Sequence, residues 1–458
     1  MKILILNGSP KKKLAHSFSQ VYIDHIISLY PQHTFETVFV ARDIDDLAQK
    51  ASAYDEFKAQ LTQCDGVLWQ MPVYSAQIPG QVKQFIEIIF NDNEVRERFA
   101  HKYCTIITTS VLIYDNLAEH YLRSVCEQMG ARCTEAFPGV IQPPINDAYR
   151  AALKGHMDRF FDTVEKKALP PLRFTANCDF TAQPLALPSV PVKKTNSPKR
   201  IGLITDFSGD NENLRQMVNY FAAVSDAKVD VLDLSQTNIK GCGGCLHCGE
   251  SFKCAVNDNF REHHDRYVLS ADAVVYACVI RDDYISYRIK NFIDREFYQN
   301  HMPFYQAKPL GLILSGPSQR VPFLQESLDA IWSLRGAKLN APVYDDSRTG
   351  IEVAHNLQWL ASTLEQKMMV AQPEPLGFYG AAALRLFRDF SWLVRFPFVA
   401  EYKHMKAAGR YGSFPHKLHS TRYRIFKLKL LMTLKGFSKA LQKYNDSRMK
   451  GMRKLLPS

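Results

Sequence analysis

The chain alternates short apolar runs with helix-period stretches, and it does so twice, the second pass echoing the first. The first run, Lys2–Leu6, gives way at once to Asn7-Gly8-Ser9-Pro10 and a helical stretch reaching about Leu29. Further runs stand at Thr34–Val40, Gly66–Met71, Tyr103–Thr108 and Cys133–Pro138. Helical periodicity falls between them near Tyr54–Thr62, Pro79–Phe90, Asn116–Met129 and Asp147–Lys167. A continuous apolar run suits a strand covered on both faces, and strand–helix alternation builds a parallel sheet with helices on either side. The pattern restarts with runs at Arg200–Thr205, Val229–Leu232, Ala273–Cys278, Leu310–Leu314 and Lys338–Val343. Helix-like stretches separate them at Asn211–Val224, Asn259–Val268, Tyr284–Phe297, Pro322–Leu334 and Glu352–Gln366. PGQVKQFIEIIF (Pro79–Phe90) aligns without gaps on SYRIKNFIDREF (Ser286–Phe297), and both follow the third strand of their half. The expectation is an α/β chain of two doubly wound parallel-sheet domains in tandem, a divergent repeat that mimics a homodimer within one chain. Association of two chains stays open.

Between the halves, Leu169–Arg200 holds six prolines and no periodicity, which reads as an extended linker. Four segments follow: 1–168, the linker 169–199, 200–372, and a tail over 373–458 with no alternating strands. Charge separates the tail from the rest. Gln372–Ser458 carries 18 Lys/Arg against 4 Asp/Glu, within a chain whose formal net charge is +11. Farther on in the tail, Phe426, Leu430, Leu434, Phe437, Leu441 and Tyr444 recur at helical spacing, with Lys435, Lys439 and Lys443 on another face. Such a stripe fits either packing on the body or a second subunit, or peripheral contact with an anionic membrane. No recognition motif accompanies the charge, so nucleic acid is not an expected partner. The N-terminal apolar stretch is too short for a signal-peptide core, and no uncharged apolar run is long enough to span a bilayer. A cytoplasmic location is expected, or a peripheral one at the inner face of the membrane. The ten cysteines then read as thiols or metal ligands.

Two loops suggest chemistry in the first half. Asn7-Gly8-Ser9-Pro10, Lys11 and Ser17 leave the first strand and open a helix, where free N–H groups and the helix dipole hold anions. Neither GxxxxGK[ST] nor GxGxxG is present, which argues against a P-loop NTPase or a dinucleotide domain of the usual kind. The third strand ends in Met71-Pro72-Val73-Tyr74-Ser75-Ala76, and the fourth in Thr108-Thr109-Ser110. In a parallel sheet these loops border one crevice at the carboxyl edge. NGSPKKK…HS with MPVYSAQIPGQVKQFIE resembles the flavodoxin-like NAD(P)H-dependent FMN reductases. That resemblance implies FMN, with Ser9, Pro10, Lys11 and Ser17 at its phosphate and Pro72, Val73, Tyr74 and Ser75 at its ring; Thr109 and Ser110 add hydroxyls at the same edge. NAD(P)H would be the electron donor. No residue pattern demands a separate acid–base catalyst, and none is nominated.

The second half carries Cys242, Cys245, Cys248 and Cys254 in a C-x2-C-x2-C-x5-C loop broken by glycines. Three thiols at successive three-residue steps favour a [4Fe–4S] cluster over zinc, with unmetallated thiols as the third reading. The loop resembles that of the iron–sulfur flavoproteins, a branch of the same family in which the cluster lies near a flavin on a partner domain. By contrast, the second half's first loop holds Asp206, Asp210 and Glu212, and its third-strand loop lacks Pro-Val-Tyr, so FMN is expected in the first half alone. The sequence thus reads as an FMN-dependent oxidoreductase passing electrons to a small-molecule or protein acceptor. The competing readings are a non-enzymatic electron carrier and a degenerate flavodoxin scaffold with a structural zinc.

Overall fold

The computed structural model describes every residue except 112–113, 142–146, 175–182, 191–196, 210, 307, 341, 347, 371–376, 412–418 and 454–458. The first unit runs β1 (Lys2–Asn7), α1 (Phe18–Leu29), β2 (Thr34–Val38), α2 (Ile44–Gln49), α3 (Ala51–Gln63) and β3 (Gly66–Pro72). It continues through α4 (Gly80–Phe90), α5 (Asn93–Phe99), β4 (Tyr103–Ser110), α6 (Asp115–Gln128), β5 (Arg132–Val140) and α7 (Asp147–Glu165). Its five strands are all parallel, in the order β2-β1-β3-β4-β5.

The second unit follows as β6 (Arg200–Thr205), α8 (Glu212–Val224), β7 (Lys228–Asp233), α9 (Cys248–Ser251), α10 (Phe260–His264), β8 (Ala273–Arg281) and β9 (Tyr284–Ile285). Then come α11 (Tyr287–Arg295), β10 (Leu310–Ser315), α12 (Leu324–Ser333), β11 (Val343–Tyr344) and α13 (Gly350–Val370). Strand order is β11-β10-β8-β6-β7, the first unit's order read from the other edge, with β9 turned back antiparallel on β8. Both units are therefore flavodoxin-like. The run expected as a strand over Lys338–Val343 shrinks to Val343–Tyr344, with Leu339 making one isolated bridge to Leu310. The linker's described residues form no helix or strand. They are not loose, however: Leu185 is buried in the second unit's core, and Glu127 accepts from the Arg173 and Phe174 amides.

Burial explains why the two units stay together. One hydrophobic cluster spans both, running from Trp69, Phe85 and Ile86 through Tyr121 to Tyr284, Ile289 and Phe292. Each such side chain contributes about 1.5–3 kcal/mol when withdrawn from water. α4 packs on α11, and the positions aligned in the sequence bond reciprocally. The Gly80 amide donates to Asp294 at 2.9 Å, and the Tyr287 amide donates to Glu87 at 2.7 Å. Lys83 donates to the Arg281 carbonyl and Lys290 to the Tyr74 carbonyl, both at 3.0 Å. Both lysines are fully buried, and each has its own helix's carboxylate four residues on, as buried charges require. Even the turns correspond: Ser75 and Ala76 have φ of 47° and 61°, and Asp282 and Asp283 have 49° and 60°.

The tail is helical: α14 (Phe378–Leu393), α15 (Val399–Ala407), α16 (His419–Lys435) and α17 (Phe437–Arg453). The single stripe expected over Phe426–Tyr444 is split at Gly436, whose φ of +74° ends one helix before the next begins. Phe437, Leu441 and Tyr444 are buried with Val394 and Phe396. Phe426, Leu430 and Leu434 are exposed.

Candidate functional site

At the carboxyl edge of the first sheet, the order reverses between β1 and β3, and the loops predicted to form a site meet there. The Gly8 amide donates to the Gln70 carbonyl at 2.8 Å, and a β-carbon on Gly8 would stand 2.1 Å from Met71 Sδ, so the loop needs glycine there. Asn7 Oδ1 accepts from the Ser9 amide at 2.9 Å, and Ser17 Oγ donates to Ser9 Oγ at 2.9 Å. Ser9, Pro10 and Ser17 are buried and Lys11 half-buried. Ser17 is the N-cap residue of α1, yet its hydroxyl makes no cap bond; it turns to Ser9 and leaves the first-turn N–H groups to other acceptors. Lys11 Nζ donates to the His16 carbonyl at 2.8 Å.

The other predicted residues reach the same rim. Pro72, Val73, Tyr74 and Ser75 are all half-buried. The Val73 amide donates to the Thr109 carbonyl at 3.0 Å, and Thr109 Oγ1 lies 3.2 Å from Ser19 Oγ, tying the third and fourth strand ends to α1. Ser110 is also buried but closes toward β5, accepting from the Ile141 amide at 2.8 Å. Gln70, fully buried one position behind the rim, has neither its amide oxygen nor its nitrogen hydrogen-bonded within the protein.

The second unit completes this edge. Lys290 holds the Tyr74 carbonyl, and Arg335 Nη2 donates to Ser75 Oγ at 3.0 Å while its Nε pairs with the buried Glu296. A β-carbon on Gly244 would stand 2.1 Å from Tyr74 Oη and 3.6 Å from Lys11 Cε, so the cysteine loop abuts the Tyr74 hydroxyl. Gln81 donates to the Cys242 carbonyl at 3.2 Å, fixing the loop to α4. Burial first, then the neighbouring Cys242 and Asp294, pushes the Tyr74 phenol well above its ordinary range, which keeps it protonated.

Gly244 and Leu246 both adopt left-handed backbone, and Phe252 does so again, so the loop turns tightly through Cys242–Cys254. Cys245 is exposed, Cys242 and Cys254 half-buried and Cys248 buried. Burial pushes the Cys242 thiol up to about 12 and raises that of Cys248 as well. A tetrahedral zinc site would hold sulfurs about 3.8 Å apart, from Zn–S bonds of about 2.3 Å. No three of the four motif sulfurs lie within 4.8 Å of one another. Among the described residues only Cys104, Cys126 and Cys133 form so tight a group. Those three are fully buried in the first unit's core beside Trp69.

The second unit's own crevice is filled. Arg281, aligned with Tyr74, donates to the Ser208 carbonyl, and Arg288 Nη1 reaches Ser208 Oγ at 3.0 Å and Asp206 at 3.8 Å. Two guanidinium groups thus stand against the β6 loop, at the place where the first unit has Tyr74. Of the expected carboxylates, Asp206 is buried among them, and residue 210 lies outside the described residues.

Sequence reasoning missed the bracing residues. Lys290 carried a signal, its match with Lys83; Arg335 and Ser19 carried none. Nor did it foresee the tail's reach: α17 packs on α1 and on the turn Leu14–His16, with Asp446 3.3 Å from His16 Nε2, and Pro397 lies against Gly249 of the cysteine loop.

Comparison with known proteins bears on the first unit. Residues 1–137 match the sequence model of the NADPH-dependent FMN reductase family. No curated protein matches the chain. Among solved structures, the chain is similar to the flavoenzyme NAD(P)H:(acceptor) oxidoreductase FerB from Paracoccus denitrificans, at 19% identity over 36% of this chain and 97% of that one, with a TM-score of 0.31. It is similar to the NADH:FMN oxidoreductase EMOB at 20% identity over 35% and 87%, TM-score 0.29. An azoreductase from Bacillus anthracis matches at 14% identity over 38% and 98%, TM-score 0.27. The family match thus covers the first unit, residues 1–137, and leaves the second unit and the tail unmatched by it.

Proposed function

We propose that the protein takes electrons from NAD(P)H on one FMN in the first unit and passes them, through a [4Fe–4S] cluster on the second, to a small-molecule or protein acceptor. The domains assigned to this work are 1–168 for FMN, 200–372 for the cluster, the linker 169–199, and a tail over 373–458 that anchors the assembly peripherally at the inner face of a membrane. The observation that carries the reading is the contact of Gly244 with Tyr74, which sets the cysteine loop on the flavin loop of the other unit.

The residues fit both groups. Ser9 and Ser17 hydroxyls, Lys11 and the uncapped start of α1 would hold the FMN phosphate, with Pro10 fixing the loop. Pro72, Val73, Tyr74 and Ser75 would bound the ring, with Thr109 and Ser110 behind them, and the unsatisfied Gln70 amide is a buried polar group a ligand can complete. Cys242, Cys245, Cys248 and Cys254 offer four thiols on one loop, the donor set a cubane takes. Bound FMN supplies the exchange between a two-electron hydride donor and one-electron acceptors. The protein's share is position: Lys290 and Arg335 hold the Tyr74–Ser75 turn, Gln81 holds the cysteine loop, and the exposed Cys245 edge faces outward toward an acceptor. The reciprocal α4–α11 bonds support treating the units as an intramolecular counterpart of a homodimer.

Anaerobically purified protein tests this. NADPH should bleach the flavin band and then the broader iron–sulfur absorption in one chain, with turnover on a soluble acceptor. Colourless protein, or zinc in place of iron, would refute the cluster; reduction only by a partner protein would make it a carrier.

A further inference from the structure

α16 is apolar on two opposite sides, and only one of them is used. Ile425 is buried, and Leu431 and Met432 pack with the cluster around Phe396 and Phe437. On the other side Tyr423, Phe426, Leu430 and Leu434 recur at steps of three, four and four, which places them on one stripe of a 3.6-residue helix. They are 61%, 61%, 47% and 71% exposed, far beyond scattered surface residues. α14 repeats the feature, with Phe378, Leu386 and Leu393 exposed on one face.

The charge beside the stripe narrows what covers it. Lys427 lies over the Tyr423 ring on one flank of the stripe, and Lys429 is exposed on the other. Lys403, Lys406 and Arg410 are exposed on and just after α15. The tail's described acidic groups are engaged: Asp389 with Arg388, buried Glu401 with His301, and Asp446 with His16. Protein interfaces are depleted in lysine at their centres, whereas helices that lie in a membrane interface combine aromatic and leucine side chains with lysines. No helix among the described residues is long and apolar enough to cross a membrane, so α16 lies on the surface and does not span it.

We propose that the outer face of α16 docks on an anionic lipid bilayer, with Phe426, Leu430 and Leu434 below the headgroups and Lys427 and Lys429 at the lipid phosphates. This deepens the reading of the tail as a peripheral anchor, rests on it, and is independent of the flavin assignment. It has a structural consequence. Through Gly436 the docked helix continues into α17, which sits on the Leu14–His16 turn, while Pro397 and Leu246 join the tail to the cysteine loop. Docking therefore fixes to the bilayer the same tail that touches the Leu14–His16 turn and the cysteine loop.

Flotation of the full-length protein with phosphatidylcholine vesicles, with and without phosphatidylglycerol, tests the docking. The protein should float with the anionic vesicles and at least about tenfold less with the neutral ones. The double variant Phe426→Glu/Leu434→Glu should lose flotation, and Lys427→Ala/Lys429→Ala should weaken it. Flavin content and thermal melting of these exposed-site variants should match the parent, so a failed flavin assignment would show itself separately. No flotation, equal flotation on neutral vesicles, or a solution dimer that the Glu variants dissociate would overturn the proposal, the last by showing that a second copy covers the stripe.

Discussion

The two units share strand order, turn conformation and a reciprocal helix contact, yet their crevices have opposite contents. In the first, Ser9, Ser17 and Lys11 line the β1 loop and a tyrosine follows β3. In the second, Arg281 stands at the tyrosine's aligned position and reaches into the acidic β6 loop. The sheet and α4/α11 core fix where the crevices lie, and only a few loop side chains make them differ. The second unit's distinctive addition is the loop before α10, which crosses to the first unit at Gly244. The proposed division of function between halves alike in fold follows from this difference, because binding depends on the site and not on the scaffold.

The division can be broken from either side. The largest effect is expected from Cys242→Ser, which should abolish iron incorporation measured by metal analysis while leaving bound FMN intact; flavin loss in parallel would mean the halves are not separate sites. Next, Ser17→Asp puts into the first crevice the charge the second already has. Like charges about 4 Å apart in a partly shielded site cost about 4 kcal/mol, so FMN affinity measured by fluorescence quenching should fall about a thousandfold. Asp206→Ser should create no second flavin site, because Arg281 and Arg288 remain.

Acid should also separate the units. The first buries His156 against the Thr105 hydroxyl, at 2.9 Å, and burial followed by the nearby Arg159 charge holds its imidazole down to about 4. The second buries His264 with Glu296 at 3.4 Å. Because the unfolded chain protonates His156 near its ordinary value of about 6.5, stability present above that pH is lost as pH falls toward 4, by about 3 kcal/mol. Urea melts of the parent across this range should show the loss, and His156→Gln should flatten it. The smallest effect is at the junction. Gly244 has φ +62°, so Gly244→Ala should cost about 1–2 kcal/mol of local strain, push on Tyr74, and slow flavin-to-cluster transfer in stopped-flow traces.

The fold was legible because its signals are local. Apolar runs such as Lys2–Leu6 need covering on both faces, and the Pro79–Phe90 match with Ser286–Phe297 marks the very helices that pack together. Loops bearing Ser9 and Tyr74 were found because topology brings the first and third strand ends to one rim. What stayed hidden depends on long-range approach. Arg335 reaches Ser75 across 260 positions of sequence, and nothing local to either residue predicts it. The tail's stripe misled for a different reason: its spacing runs on through Gly436, but the left-handed turn there sends one half inward and leaves the other outside. Cys104, Cys126 and Cys133 come from two strands and a helix, so their convergence needed the β4–β5 register.

The central claim is that one crevice accepts FMN and its counterpart does not. The flavin-to-protein ratio of the full chain, read after denaturing release and after saturation with added FMN, tests it most directly. The account predicts a ratio close to one, falling to near zero in Ser17→Asp and unchanged in Arg281→Ala. A ratio near two in the parent, or bound flavin that survives Ser17→Asp and vanishes with Arg281→Ala, would contradict it.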